Sequence, residues 1–264
     1  YNPSNRTGNQ IKMLDEIVGR TRLELEARKK KIPASLFNTD GKTRSIRDAI
    51  KKAKKERNAI ITEIKPASPS EGMIKAVDPE ETAKAMERGG ACALSVLTEP
   101  FFFHGSLNNL TKAKYAVDIP VMRKDFIIDE YQLLEAKHYG ADAVLLMVSV
   151  LGDKTKEFYE KVRGLGMEAI IEIHDKKEIP IAVESGAEII GINNRSLKDL
   201  SINLEVTKEL APALPKGRII VSESGVKSRK DLEFVLKYAD AALVGTGLMR
   251  ADDIEGAVKG LAKK

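Results

Sequence analysis

Eight short apolar runs, each followed by an amphipathic stretch, constrain this chain more than any other feature. They cover 59–64, 93–97, 119–124, 143–148, 169–173, 188–193, 218–223 and 241–245. Their starts fall 19 to 34 residues apart, which is room for a strand, a helix and two loops. Continuously apolar runs suit parallel strands covered on their outer face. Several are preceded by a glycine that ends the helix before it, at Gly90, Gly140 and Gly186. Eight βα units in series allow a closed barrel or an open doubly wound sheet. The count favours the barrel, as does the lack of a GxGxxG turn after the first run. So does the polar residue at the C-terminal end of nearly every run, where barrels build their sites. The expected fold is a single α/β domain over 1–264, a (β/α)8 (TIM) barrel. The barrel proper takes 59–264. Before it comes a helical extension over 10–57 that caps it.

That extension reads as two helices. Ile11, Leu14, Ile17, Val18 and Leu25 make a stripe of helical period between Gln10 and Lys31. A connector follows over 33–43, then a second helix from the N-cap Ser45 to about Arg57. Residues 1–9 are polar and expected to fray.

Composition narrows the function. The chain has 264 residues, 42% hydrophobic and 31% charged, with a formal net charge of +5. A basic balance permits an anionic partner. The lysines, however, are spread among Glu and Asp on helix faces, as on a solvated surface. Aromatics are 5% and Trp is absent, so the basic stripe with interleaved aromatics of a nucleic-acid binder is missing. No apolar stretch approaches the roughly 20 residues of a membrane helix. No secretory signal pattern opens the sequence, and a cytoplasmic location is expected. The lone Cys92 lies in an apolar run and reads as a buried, inert thiol. His104, His138 and His174 share no metal-ligand spacing, so neither a metal nor a cofactor is expected. His174 shares the parity of Glu172 and reads as structural.

The chemistry gathers at the strand ends. Residues i and i+2 of a strand share a face. Glu63 and Lys65 therefore both face the barrel mouth. Lys124 shares the face of Met122, and Arg123 takes the opposite one. Glu172 lies with Ile170, Asn193 with Arg195, and Glu223 and Ser224 end the seventh run. Lys and Glu are rarely buried unpaired, so charges converging from apolar runs mark a functional site. Ser224-Gly225 and Gly245-Thr246 bring backbone N–H groups to one corner, where barrels hold phosphate. The Phe101–Phe103 triplet suits either core packing or a wall for an aromatic substrate.

These residues make the chain resemble a known family. Segments 61–70, 94–99 with 103–106, 122–132, 171–175, 190–195 and 221–226, in that order, resemble the strand-end signatures of the indole-3-glycerol phosphate synthases. Residues 14–29 are similar to that family's extra N-terminal segment. The resemblance implies a lyase of tryptophan biosynthesis acting on 1-(2-carboxyphenylamino)-1-deoxyribulose 5-phosphate by ring closure, decarboxylation and dehydration. It implies Lys124 as general acid, with burial or neighbouring cations expected to lower its pKa toward the working range. Lys65 and Glu172 are the acid and base of the dehydration, in an order that stays open. Glu63, Asn193 and Glu223 orient the lysines or the substrate hydroxyls, with Ser224 beside them. Ser68 and Arg195 would meet the anionic ends, and Gly225, Gly245 and Thr246 the phosphate. Phe103, Phe126 and Leu145 would clasp the aromatic ring. Expected partners are this small phosphorylated substrate and other enzymes of the same pathway, for a monomeric protein. Thr246-Gly247, Ser196 and Pro66 depart from the family's commoner residues. A phosphoribosylanthranilate isomerase would need a Cys on the first strand, and Cys92 precedes the second instead.

Overall fold

The computed structural model describes the backbone of residues 6–264 and side chains from Met13 onward. Eight parallel strands close into a barrel: β1 (Ile60–Ile64), β2 (Ala93–Leu97), β3 (Val121–Lys124), β4 (Ala143–Met147), β5 (Glu168–Ile173), β6 (Ile189–Asn193), β7 (Ile219–Glu223) and β8 (Ala241–Val244). Each pairs with the strands before and after it, and β8 closes on β1 through Ile60 opposite Ala242. All eight expected runs are strands. Gly90, Gly140 and Gly186 end the preceding helices with positive φ, where a side chain would be strained.

Strand alternation sorts the core into two layers. Ile61, Met122, Leu145, Ile170, Val221 and Leu243 point inward and fill the barrel. Ile60, Ile64, Leu94, Val121, Leu146, Ile171 and Ile190 point outward against the helices. Arg123 also points outward, fully buried, while its neighbours Met122 and Lys124 point in.

The N-terminal extension, expected to cap the barrel, divides between its two ends. Helix α1 (Arg6–Lys31) starts before the anticipated Gln10. Of the stretch expected to fray, Arg6–Asn9 is helical, while 1–5 lie outside the described residues. Met13, Leu14 and Ile17 of α1 line the cavity at the C-terminal mouth. Of the expected stripe, Ile17 and Leu25 are buried, Leu14 and Val18 are half-buried, and the side chain of Ile11 lies outside the described set. A short 3₁₀ turn, Ala34–Leu36, interrupts the connector. Helix α2 (Ile46–Glu56) plugs the opposite end. Its Ile46, Ile50 and Ala53 join the inward-facing cluster with Ala93, Ala143 and Ala241 at the strand starts. Ser45 caps α2 as expected, accepting from the Asp48 N–H at 3.0 Å. Arg44 fixes the helix against the barrel floor by donating to the carbonyls of Val117 and Ile119.

Candidate active site

The four odd strands carry the charges. Glu63 on β1, Lys124 on β3, Glu172 on β5 and Glu223 on β7 all point into the barrel just below its mouth, as alternate strands do when they build one layer. Lys124 Nζ lies 2.7 Å from Glu223 Oε2 and 3.3 Å from Glu172 Oε2. Lys65 Nζ lies 2.9 Å from Glu63 Oε1. The even strands make room. A Cβ on Gly191 of β6 would sit 2.1 Å from Glu223 Oε1, and one on Gly245 after β8 would sit 2.6 Å from Glu63 Oε1. Both glycines are thus required by close approach of a carboxylate.

Above this layer opens a cavity of about 460 Å³. Every site residue expected from sequence stands on its wall: Lys124, Lys65, Glu172, Glu63, Asn193, Ser224, Ser68, Phe103, Phe126, Leu145, Arg195, Glu223, Gly225, Gly245 and Thr246. On one side the rings of Phe103 and Phe126 meet at 6.0 Å between centroids, above Leu145. Phe101 instead faces outward under the Arg20 guanidinium, 4.1 Å from the ring centre. So the phenylalanine triplet is neither wholly core nor wholly wall. On the other side the turn after β7 passes through Ser224 (φ 65°) and Gly225 (φ 96°). Left-handed backbone is costly for Ser and marks a turn held open by its surroundings. Asn194 supplies that hold, donating to the carbonyls of Glu223 (2.9 Å) and Ser224 (3.0 Å). After β8, Gly245 leads into the short helix Thr246–Met249, whose first N–H groups have no intrahelical acceptor.

Between these sides the first loop folds into a small antiparallel hairpin, Ala67–Ser68 with Gly72–Met73, a pairing the sequence did not suggest. The Pro66 carbonyl anchors it, accepting from Ile74 (2.8 Å) and Lys75 (3.2 Å). Glu71 of the hairpin pairs with Arg250. Arg195 donates to the Leu200 carbonyl and is half-buried beside the cavity, where burial lowers its pKa.

Electrostatics in the charged layer run opposite to one expectation. Burial pushes the Lys124 ammonium down, but Glu223, Glu172 and Glu63 together outweigh it and hold it above the ordinary lysine range. Lys124 is therefore a stored proton, where sequence reasoning expected a lysine lowered toward neutrality. Glu172 is raised by burial, yet Lys124, His174 and Asn193 bring it well below the usual carboxylate range. Burial pushes Glu223 the other way, to about 7, and the neighbouring Glu172 charge adds to that.

Sequence reasoning missed several contributors. His174, read from the sequence as structural, lines the cavity and lies 3.2 Å from Glu172. Gly191 left no side chain to notice, although a glycine inside an apolar strand is itself a signal. Glu99 is buried and accepts from the backbone N–H groups of Phe101 (3.0 Å), Phe102 (2.7 Å) and Phe103 (3.0 Å), which sets the angle of the aromatic wall. Cys92, as expected, is buried away from the cavity, and burial pushes its thiol up to about 12.

Comparison with known proteins agrees with this geometry. The sequence model described as indole-3-glycerol phosphate synthase matches residues 14–261. A protein of Methanocaldococcus jannaschii named indole-3-glycerol phosphate synthase is 45% identical over 262 residues, covering 94% of this chain and 98% of its own. One of the same name from Campylobacter hominis is 44% identical, covering 94% and 98%. Another from Thermoanaerobacter sp. is 43% identical, covering 92% and 95%. Among solved structures, a thiamine phosphate pyrophosphorylase from Pyrococcus furiosus shares the fold, with a TM-score of 0.56 at 16% identity over 77% of this chain and 93% of that one. The chain belongs to the indole-3-glycerol phosphate synthase family.

Proposed function

We propose that the chain closes the indole ring of 1-(2-carboxyphenylamino)-1-deoxyribulose 5-phosphate, releasing carbon dioxide and water to leave indole-3-glycerol phosphate. The observation that carries this reading is Lys124. It is an ammonium held between two carboxylates at the floor of a cavity with an aromatic wall on one side and glycine-rich turns on the other. The aromatic end of the substrate lies against Phe103, Phe126 and Leu145, with its carboxylate toward Ser68 and Arg195. The phosphate sits at Ser224-Gly225 and Gly245-Thr246, where N–H groups and close backbone approach favour an anion.

Ring closure forms a bond from the carboxylate-bearing ring carbon to the ketone carbon. The ketone oxygen gains negative charge and takes the proton of Lys124. An oxyanion developing beside the carboxylates of Glu63, Glu172 and Glu223 is costly without such a donor. The C–CO₂⁻ bond then breaks, and its electron pair restores the aromatic ring. In the dehydration the hydroxyl leaves with a proton from a lysine, and a base removes a proton from the new five-membered ring. Glu172 is ionised and accepts that proton. Lys65, paired with Glu63, protonates the departing hydroxyl. Asn193 steadies Glu172, and Glu223 steadies Lys124.

Within this reading residues 1–264 work as one domain, with 10–57 as its functional extension. The protein acts in the cytoplasm as a monomer beside other enzymes of tryptophan biosynthesis. Among the described residues no helix is long and apolar enough to cross a membrane.

The test is direct. Purified protein given the substrate is expected to generate indole fluorescence without added metal or nucleotide and with EDTA present. Binding of the substrate with no fluorescence gain would leave the barrel and remove the activity. A second expectation concerns Gly191→Ala. Its Cβ falls 2.1 Å from Glu223 Oε1 and 2.9 Å from Ile170 Cγ2, so Glu223 must swing away from Lys124. Turnover should drop about a hundredfold, the scale on which an ångström of misplacement costs rate. Wild-type turnover in this variant would show that the Glu223–Lys124 contact is dispensable.

A further inference from the structure

Among the ionisable side chains of the cavity wall that have no task in the steps above, His174 is the one in contact with Glu172. His174 stands two residues past Glu172 on the same face and is 8% exposed on its side chain. Its Nε2 lies 3.2 Å from Glu172 Oε1, and its Nδ1 lies 3.6 Å from Glu178 Oε2. The His174 backbone N–H donates to the same Glu178 oxygen at 2.6 Å. Glu178 is placed by the 3₁₀ turn Lys176–Glu178, which Asp175 caps. The ring is therefore clamped between two carboxylates, one catalytic and one not. Both contacts are charge contacts without the in-line geometry of a hydrogen bond.

The clamp reverses a preference. Lys124 sits between Glu172 and Glu223, and two carboxylates so close to one another do not ionise independently. Lys124, 2.7 Å from Glu223 and 3.3 Å from Glu172, on its own favours charge on Glu223. His174 touches Glu172 and not Glu223. The charged and titratable groups around the ring are Glu172 on its own strand and Glu178 in the turn that follows. Beyond Glu172 come Lys124 of β3 and Glu223 of β7, and Arg195 in the loop after β6 opens on the same cavity. Resting on the roles given to Lys124 and Glu172, we propose that His174 is a positioning residue: its imidazolium, clamped by Glu178, fixes Glu172 as the proton acceptor and leaves Glu223 as the group that shares a proton with Lys124.

The directions of titration agree. Burial lowers His174, but Glu172 and Glu178 outweigh it and carry it to about 10, while Glu172 falls and Glu223 rises. A histidine raised from 6.5 to about 10 contributes stability that is fully present below about pH 6.5. That contribution is lost as pH climbs through about 10.

Two measurements on the full chain test this. In ¹⁵N NMR the ring of His174, identified by loss of its signals in His174→Asn, is expected to remain an imidazolium through pH 8. In Glu178→Gln its titration should move down by at least about one unit, as expected for removing one close carboxylate. A wild-type ring titrating near 6.5 overturns the clamp. In kinetics, His174→Asn is expected to shift the acid limb of kcat upward by at least about one pH unit, with KM changed less than about threefold. Such a shift is what an opposite charge taken from Glu172 produces. An acid limb that stays in place overturns the positioning role, whatever happens to the overall rate. The NMR arm does not depend on turnover, so an inactive wild type would sink the proposed reaction without touching the clamp.

Discussion

Lys124→Ala is expected to lower kcat at least about a hundredfold, the lower end of what a general acid contributes, with substrate still bound. The expectation rests on where the proton is kept. Three carboxylates hold Lys124 charged against its burial, so it enters the reaction with a proton to give. In the proposed binding mode the ketone oxygen that turns into an alkoxide lies over Lys124, which lines the cavity together with Phe103 and Phe126. Removing the ammonium also takes away the cation between Glu172 and Glu223, leaving His174 beside Glu172 and none beside Glu223. Burial already pushes Glu223 up to about 7, and the loss of Lys124, which lowers it, pushes it further. The variant therefore loses its acid and protonates Glu223 in the carboxylate layer. Lys124→Met, which keeps the side-chain length, should behave alike. Single-turnover fluorescence with a separate binding titration checks this. A rate within about tenfold of wild type would move the acid role to Lys65, which stands on the same wall paired with Glu63.

The sequence reveals the barrel for a simple reason. Eight runs with their caps are local signals, and each survives in the structure as a strand of nearly the expected span. Parity was equally legible. Glu63 with Lys65, and Met122 with Lys124 against Arg123, follow from the two-residue period alone. What failed depends on sums over distant elements. The direction of the Lys124 shift is set by carboxylates on β1, β5 and β7, and no window of sequence contains them all. His174 looked bland because its second partner, Glu178, lies in a turn whose geometry the sequence does not announce. The fate of α2 was hidden too. Its apolar face fits either end of a barrel, and the bonds that hold it at the floor, from Arg44 to the Val117 and Ile119 carbonyls and from Ser45 and Arg47 to Glu168, join residues far apart in the sequence.

The largest stability effect belongs to a residue outside the site. Arg123→Met is expected to destabilise the fold by about 3–5 kcal/mol, the cost of leaving buried charges without their partner. Arg123 is fully buried on the outer face of β3. Its Nη2 lies 2.9 Å from Asp125 Oδ2 and its Nη1 lies 2.9 Å from Glu135 Oε2. The in-line bond from Nη1 goes to the Gln132 carbonyl at 2.9 Å, and Nε donates to Thr98 Oγ1 at 3.0 Å. One guanidinium thus ties together the end of β2, the end of β3 and the helix Glu130–His138. Arg28 of α1 reaches the same Glu135 at 3.4 Å, so the set extends to the helix over the mouth. Truncation leaves the buried Asp125 carboxylate without its cation and Glu135 with Arg28 alone, and a natural domain has only about 5–15 kcal/mol to lose. At the ~2–4 °C per kcal/mol usual for chains of this size, the melting midpoint should fall by roughly 10 °C. The cause is separable from lost packing. If stranded charge is responsible, adding Asp125→Asn and Glu135→Met to Arg123→Met recovers much of the loss, because an apolar replacement of a whole buried ion set is often close to neutral. If the triple variant melts no higher than the single one, the loss comes from packing and from the Gln132 and Thr98 bonds. The same variants report on catalysis. Arg123 precedes Lys124 on one short strand, so in the single variant kcat should fall more than KM rises.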